Sequence, residues 1–507
     1  MAPGRSMHVV VIGAGMSGIL AGHRLAQAGV SYEIIEKHDD VAGTWLVNTY
    51  PGCRVDNPNH NYSYSFAQRH DWPFHFSTQD VLRDYFRECA REFGVDQHVR
   101  FGSEVVSATW DEPAAQWVLT IRRSDGSEAT ERADAVISAV GQLSRPKLPD
   151  IEGRESFAGE WFHSAQWNPQ VDLAGKKVVV IGTGASALQF LPIIAPECGT
   201  LAIFQRTAPW LAPTPDYHEP VPAGLSWLYR NLPGYSEFNR FSIFWRMGDG
   251  ALEGVRVEDG FPHRPDAVGV MNDFVRELLT QYLRAEFADR PDLLEHVIPN
   301  YPVGAKRGIR DNGAWAATLK RDNVRLVTDG IERIEPGGVR TATGELVEAE
   351  VLIYGSGFEA SKFLEPITIT GRAGLDLHEQ WEGDARAYLG VAMPGFPNFF
   401  CLYGPNTNIV LNGSIIYFSE CGTRLILGLL GRLARTGARS IEIRRDVHDA
   451  FNEASDAANL KWAWGWSEVS SWYKNDRGRS ATNWAFTLLE YWQRTLAPVP
   501  EEWVLGD

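Results

Sequence analysis

Two glycine-rich turns, each entered from an apolar strand and left through a helical pattern, constrain this chain more than any other feature. The first, Gly13-Ala14-Gly15-Met16-Ser17-Gly18, follows His8-Val9-Val10-Val11-Ile12. The second, Gly182-Thr183-Gly184-Ala185-Ser186-Ala187, follows Lys177-Val178-Val179-Val180-Ile181. The glycines permit a tight turn, admit a pyrophosphate against the backbone and set its charge at a helix N-terminus. Downstream the two copies differ. After the first, Ser31-Tyr32-Glu33-Ile34-Ile35 ends at Glu36, a carboxylate placed to accept from ribose hydroxyls. After the second, Thr200-Leu201-Ala202-Ile203-Phe204 ends at Gln205-Arg206-Thr207. A carboxylate there would repel a 2′-phosphate, whereas an arginine pairs with it. The chain therefore asks for two dinucleotides, one of them phosphorylated on its adenosine ribose, and FAD with NADPH is the simplest pair. Expected contacts are Gly13, Gly15, Ser17, Gly18 and Glu36 to FAD. For NADPH they are Gly182, Gly184, Ala185, Ser186, Ala187, Gln189, Arg206 and Thr207, with Ala187 standing where glycine is commoner.

Size and charge narrow the class. At 507 residues the chain exceeds one core, and about three domains are expected. A net charge of −16 argues against a nucleic-acid partner and against adsorption to anionic lipid. The best candidate for a membrane span, Leu425 to Leu433, is broken by Gly428, Gly431 and Arg432, so no transmembrane segment is expected. Met1 to Met7 is too short and polar for a secretory signal. Cys53, Cys89, Cys198, Cys401 and Cys421 are scattered, with no Cys-x-x-Cys pair. That pattern suits a reducing cytoplasm and removes structural zinc and a redox disulfide. No metal is expected.

The expected fold class is α/β, with two Rossmann-like dinucleotide-binding domains and an inserted helical lobe. Residues 1–149 read as the first part of the FAD-binding domain. They include a β-meander (Val105 to Trp110, Trp117 to Arg122) and close on the strand Ala135 to Gly141. Ser144 to Pro149 reads as a linker. Residues 150–335 read as the NADP-binding domain, interrupted by a helical lobe at about 209–302 with helical spacing from Phe274 to Phe287. Strand pattern resumes at Val324 to Val327. Residues 336–507 read as the chain returning to complete the FAD domain, starting with the strand Glu350 to Tyr354. A long helical pattern runs from Ser419 to Arg435, and the aromatics around Trp462 to Trp466 read as core and lid packing.

Two flavin routes fit two dinucleotide sites. One passes electrons through a disulfide, and the cysteine pair for it is missing. The other lets reduced flavin react with oxygen. Phe157-Ala158-Gly159-Glu160-Trp161-Phe162-His163-Ser164-Ala165-Gln166-Trp167 resembles the Phe-x-Gly-x-x-x-His-x-x-x-Trp fingerprint of type I Baeyer–Villiger monooxygenases. Asn168 departs from the proline or aspartate common there. The segment Ala42 to Asp56, through Gly43-Thr44-Trp45 and Tyr50-Pro51-Gly52, is similar to the family's other long motif. The likeness continues through the Gly141-Gln142-Leu143-Ser144 turn and Gly357-Phe358.

The resemblance implies NADPH- and oxygen-dependent conversion of a small-molecule ketone to an ester or lactone through a flavin C4a-peroxide. A buried peroxide anion needs a fixed positive charge, and arginine stays protonated at any working pH. In the family that arginine ends a Tyr-Pro-x-Gly-x-Lys-Arg stretch, here Tyr301 to Arg307. The resemblance thus makes Arg307 and Asp56 the catalytic pair, the carboxylate holding the guanidinium. Arg310 is a rival in the wrong register. Lys306 joins Arg206 at the 2′-phosphate. Gly43, Thr44, Trp45, Asp56, Tyr62 and Val105 are expected along the flavin, and His163 is expected to position domains and not to react. Two rival functions stand beside this one. A flavin-containing monooxygenase would oxidise sulfur or nitrogen centres, and an uncoupled NADPH oxidase would need no organic substrate.

Overall fold

The computed structural model describes residues 7–262, 264–411 and 413–506. Two five-stranded parallel sheets organise the chain. The first runs in the order Phe399–Cys401, Ala135–Ser138, His8–Ile12, Ser31–Ile35, Val99–Arg100. Its central strand, with Val9, Val10 and Val11 fully buried, is apolar at successive positions because layers cover both faces of a parallel sheet. Helix Met16–Gln27 lies on one face, and the helix Ile415–Thr436 packs against it. The Ser414 hydroxyl caps that second helix by accepting from Ile416 N–H, and Gly437 ends it at φ +75°. An antiparallel meander of Ser103–Asp111, Gln116–Arg123 and Glu128–Ala133 covers the other face, with Thr368–Thr370 on its edge.

The second sheet runs Val324–Val327, Thr200–Phe204, Lys177–Ile181, Val351–Tyr354, Glu160–His163. This corrects two expectations. Val351–Tyr354 does not return to the first sheet; it pairs in parallel with Lys177–Ile181 and with Glu160–His163. The strand that completes the first sheet is the three-residue Phe399–Cys401. Both are short, wholly buried apolar runs, so composition could not distinguish their partners. The expected boundary at 335/336 therefore falls inside the second unit, which also holds the small antiparallel sheet from Ile331 to Glu348. The fingerprint residues Glu160–His163 form the edge strand of the second five-stranded sheet.

Between Thr200–Phe204 and Val324–Val327 the chain makes the helical excursion, with helices Ala223–Asn231, Tyr235–Met247 and Val270–Glu286. The core role of the late tryptophans holds for two of them. Trp462 and Trp464 are buried and stack at 5.4 Å, whereas Trp466 reaches the cleft described below. Among the described residues no helix is long and apolar enough to cross a membrane, and all five cysteines are free and buried.

Candidate active site

The first turn is built for close approach. Gly13 sits at φ +97°, and any side chain on Gly18 would collide with the Gly13 carbonyl. Gly15 opens helix Met16–Gln27, whose N-terminus points its free N–H groups at the turn. Glu36 is buried at the end of its strand. Its Oε2 accepts from Ala14 N–H at 2.7 Å and its Oε1 from His38 N–H at 2.9 Å. Each oxygen keeps a lone pair for a ribose hydroxyl. Ser17 lies at the helix start with its hydroxyl 2.8 Å from that of Ser419. Thr44 is exposed into the cleft, and Trp45 forms a fixed wall, its indole N–H donating to Tyr62 OH at 3.1 Å. Val105, from the meander, closes the far side.

The second turn repeats the plan with its glycine displaced. Gly182 takes φ +110°, and Gly184 opens helix Ala185–Ile194. Ala187 is tolerated because its methyl group faces Gly355, where a Cβ would come within 3.2 Å. The close approach usually given by the third glycine is supplied from the next strand's end. Gly184, Ala185, Ser186 and Thr207 line the cleft; Ala187 and Gly18 lie behind it, holding the helices to the turns. Gln189, expected at the cofactor, lines the cleft with its side-chain amide engaged by the protein. Its Oε1 accepts from Tyr50 OH at 2.9 Å, and its Nε2 donates to Arg54 O at 2.9 Å and Tyr217 OH at 2.7 Å. With its amide spent on protein partners, Gln189 ties the second unit to the Tyr50–Arg54 loop of the first.

Arg206 is exposed into the cleft, and Lys306 is half-buried near it. Among the described residues neither forms an ion pair. Burial, then the neighbouring Arg206 charge, pulls the Lys306 ammonium down to about 8. Two uncompensated cations side by side suit an anion of more than one charge.

Asp56 and Arg307 meet at the same cleft from loops 251 residues apart. Arg307 Nε and Nη2 both donate to Asp56 Oδ2, at 3.0 and 2.6 Å, and Nη1 donates to Val410 O at 3.1 Å. The carboxylate side chain stays 34% exposed on a cleft wall, so the pair is reachable by a ligand. Burial works to raise the Asp56 pKa, but Arg307, with Arg310 behind it, holds it below the ordinary carboxylate range. Burial likewise opposes the Arg307 charge, and Asp56, followed by Tyr473, outweighs it. Arg310 is excluded as the cleft arginine, since it points to the Asp56 main chain. Residues missed by sequence reasoning come from the C-terminal segment: Tyr473, fully buried beside Arg307, and Tyr403, whose OH donates to Asn408 Oδ1 at 2.7 Å. Gln142 Nε2 holds this Tyr403 loop through the Tyr403 and Gly404 carbonyls, at 3.0 and 3.2 Å, which gives the Gly-Gln-Leu-Ser turn its task.

His163 is buried, with Nδ1 accepting from Ala165 N–H at 3.1 Å. Burial lowers its pKa, which favours the neutral ring, and its Nδ1 contact closes the turn after the edge strand.

The two turns and the ion pair open on one continuous cleft of about 2520 Å³. A single small-molecule site takes roughly 300–1,000 Å³, so this cleft has room for two dinucleotides and a substrate. The donor set fits them: two helix N-termini for pyrophosphates, a half-satisfied carboxylate for a ribose, and two free cations for a phosphate. Among the described residues no cluster of His, Cys, Asp or Glu could hold a metal.

This fold and site define a flavin-binding monooxygenase, and residues 6–213 match the flavin-binding monooxygenase-like family. A Baeyer–Villiger monooxygenase of Streptomyces coelicolor is 34% identical over 491 residues, covering 96% of this chain and 91% of that protein. The crystal structure of OTEMO in complex with FAD and NADP superposes with a TM-score of 0.84 at 28% identity, covering 99% of both chains. An oxidised steroid monooxygenase bound to NADP gives 0.83 at 29% identity, covering 99% of this chain and 100% of that one. The chain belongs to the Baeyer–Villiger monooxygenase family.

Proposed function

We propose that this protein converts a ketone, dioxygen, NADPH and a proton into an ester or lactone, water and NADP⁺. The observation that carries the proposal is the Asp56–Arg307 ion pair on the wall of a cleft sized for two dinucleotides. The Gly13–Gly18 turn and Glu36 would hold FAD, which when bound would supply the acceptor for NADPH hydride and the centre that activates dioxygen. The protein's part is electrostatic. Negative charge develops on oxygen during the insertion, and a preorganised guanidinium stabilises it without reorganisation. Asp56 keeps that guanidinium aimed and favours its charged form. Arg206 and Lys306 hold the 2′-phosphate of NADPH, and Glu36 holds the FAD ribose. Gly43, Thr44 and Trp45 lie along the flavin, with Tyr62 fixing the indole. His163 and Gln189 position the two nucleotide-binding units. The relatives named for Baeyer–Villiger and steroid oxygenation support this reading.

The test is NADPH oxidation by the FAD-loaded enzyme with a panel of small-ring, aryl and steroid-sized ketones, the products analysed by mass spectrometry. Ketone-stimulated turnover yielding ester is expected. Substrate-independent turnover yielding only hydrogen peroxide identifies an NADPH oxidase. Oxidation confined to sulfides or amines identifies a heteroatom oxygenase.

A further inference from the structure

Arg310 stands in the short strand Ile309–Asp311, which pairs in parallel with Leu211–Pro213 behind the cleft wall. Its Nε donates to the Asp56 main-chain oxygen at 3.1 Å and its Nη1 to Thr214 Oγ1 at 3.2 Å. Its guanidinium carbon lies 5.3 Å over the Phe76 ring, and Nη2 is buried with no hydrogen-bond partner. Among the described residues Arg310 forms no ion pair of its own. The charged and titratable groups that face it are Asp56, Arg307, Tyr217 and Asp216.

A mostly buried cation without its own counter-ion is costly, and such groups gather at functional sites. Here one carboxylate serves two arginines. Asp56 spends its carboxylate on Arg307 and its carbonyl on Arg310. The Asp56–Arg307 pair alone presents a dipole to the cleft, because each charge cancels the other. With Arg310 added, the cluster of three carries one net positive charge; the Asp216 carboxylate that also faces Arg310 is exposed, so water screens it, whereas the partly buried cluster keeps its charge over several ångströms.

We propose that Arg310 is a positioning residue that keeps this cluster cationic, fixing the Asp56 main chain and restoring the charge that the Asp56–Arg307 pair cancels. The cluster then favours negative charge in the adjoining cleft. That this charge develops on reacting oxygen rests on the proposed function; the charge balance itself does not.

The experiment uses FAD-loaded Arg310→Met, Arg310→Lys and Thr214→Val, with FAD content and thermal midpoint confirming that each is folded and loaded. The readout is the reduction midpoint potential of the bound FAD, since reduction adds negative charge beside the cluster. Arg310→Met is expected to lower the potential and to cut ketone-dependent kcat at least tenfold, with KM for NADPH within twofold. Arg310→Lys, which keeps the charge, and Thr214→Val, which removes only a hydrogen bond, are expected to hold the potential near that of the parent. An unchanged potential in Arg310→Met overturns the proposal, as does an equal fall in all three variants. If Arg310→Met fails to retain FAD, Arg310→Gln replaces it, with the same two outcomes. A parent enzyme that makes no ester, while Arg310→Met still lowers the potential, defeats the proposed function and leaves the charge assignment standing.

Discussion

Three separate segments fix the Arg307 guanidinium: Asp56 at Nε and Nη2, Val410 O at Nη1, and the buried Tyr473 alongside. Losing one such preorganised donor typically costs about 3 kcal/mol in the transition state, roughly a hundredfold in rate. Arg307→Ala is therefore expected to retain FAD and still oxidise NADPH, with ester formation down a hundredfold or more; an undiminished ester yield would reassign the residue. At the nucleotide end, Arg206→Ala should raise KM for NADPH well above its effect on KM for NADH. Equal effects on both would take Arg206 off the phosphate. Lys306 adds a pH dependence of definite sign. With its pKa lowered to about 8, it is charged below that pH and neutral above it. Preference for NADPH over NADH should fall as pH rises past 8, by up to about tenfold per unit for one lost proton. Steady-state kinetics with both nucleotides from pH 7 to 9.5 checks this, and a flat ratio would remove Lys306 from the site. The cations were legible because they follow motifs or strand ends. Val410 and Tyr473 carry no local signal, and only the fold brings them to Arg307.

At the scale of elements, the turns and the strands on either side of them were readable because each carries its own steric demand. Partnership among strands was not. Val351–Tyr354 and Phe399–Cys401 are equally short and buried, and which sheet each joins depends on contacts far away in sequence. The same limit applies to Ala187, whose missing glycine reappears as Gly355, just past the strand Val351–Tyr354. The Tyr50–Arg54 loop shows how elements of the two units are held in register. Gly52 takes φ +76°, and a Cβ there would lie 2.6 Å from both Gln189 O and Ile193 Cδ1. Gly52→Val combines backbone strain with a collision against the second unit. It is expected to cost about 1–3 kcal/mol, visible as a lowered thermal midpoint. A variant as stable as its parent would show that this contact does not hold the units together.

Across the whole molecule, two nucleotide-binding units face one cleft, and the Asp56–Arg307 ion pair is divided between them. Asp56 lies in the long irregular segment of the first unit that precedes helix Gln79–Glu92, while Arg307 follows the helical excursion of the second. The pair forms only with both units in place, and Gln189 helps to hold them through Tyr50 and Arg54. The measurement that tests this account most directly is turnover of a ketone under ¹⁸O₂ by the parent enzyme and by Arg307→Ala. The parent is expected to give an ester carrying one heavy oxygen atom, and the variant NADPH oxidation without labelled ester. Labelled ester formed equally well by both, or none formed by the parent with any ketone, would contradict it.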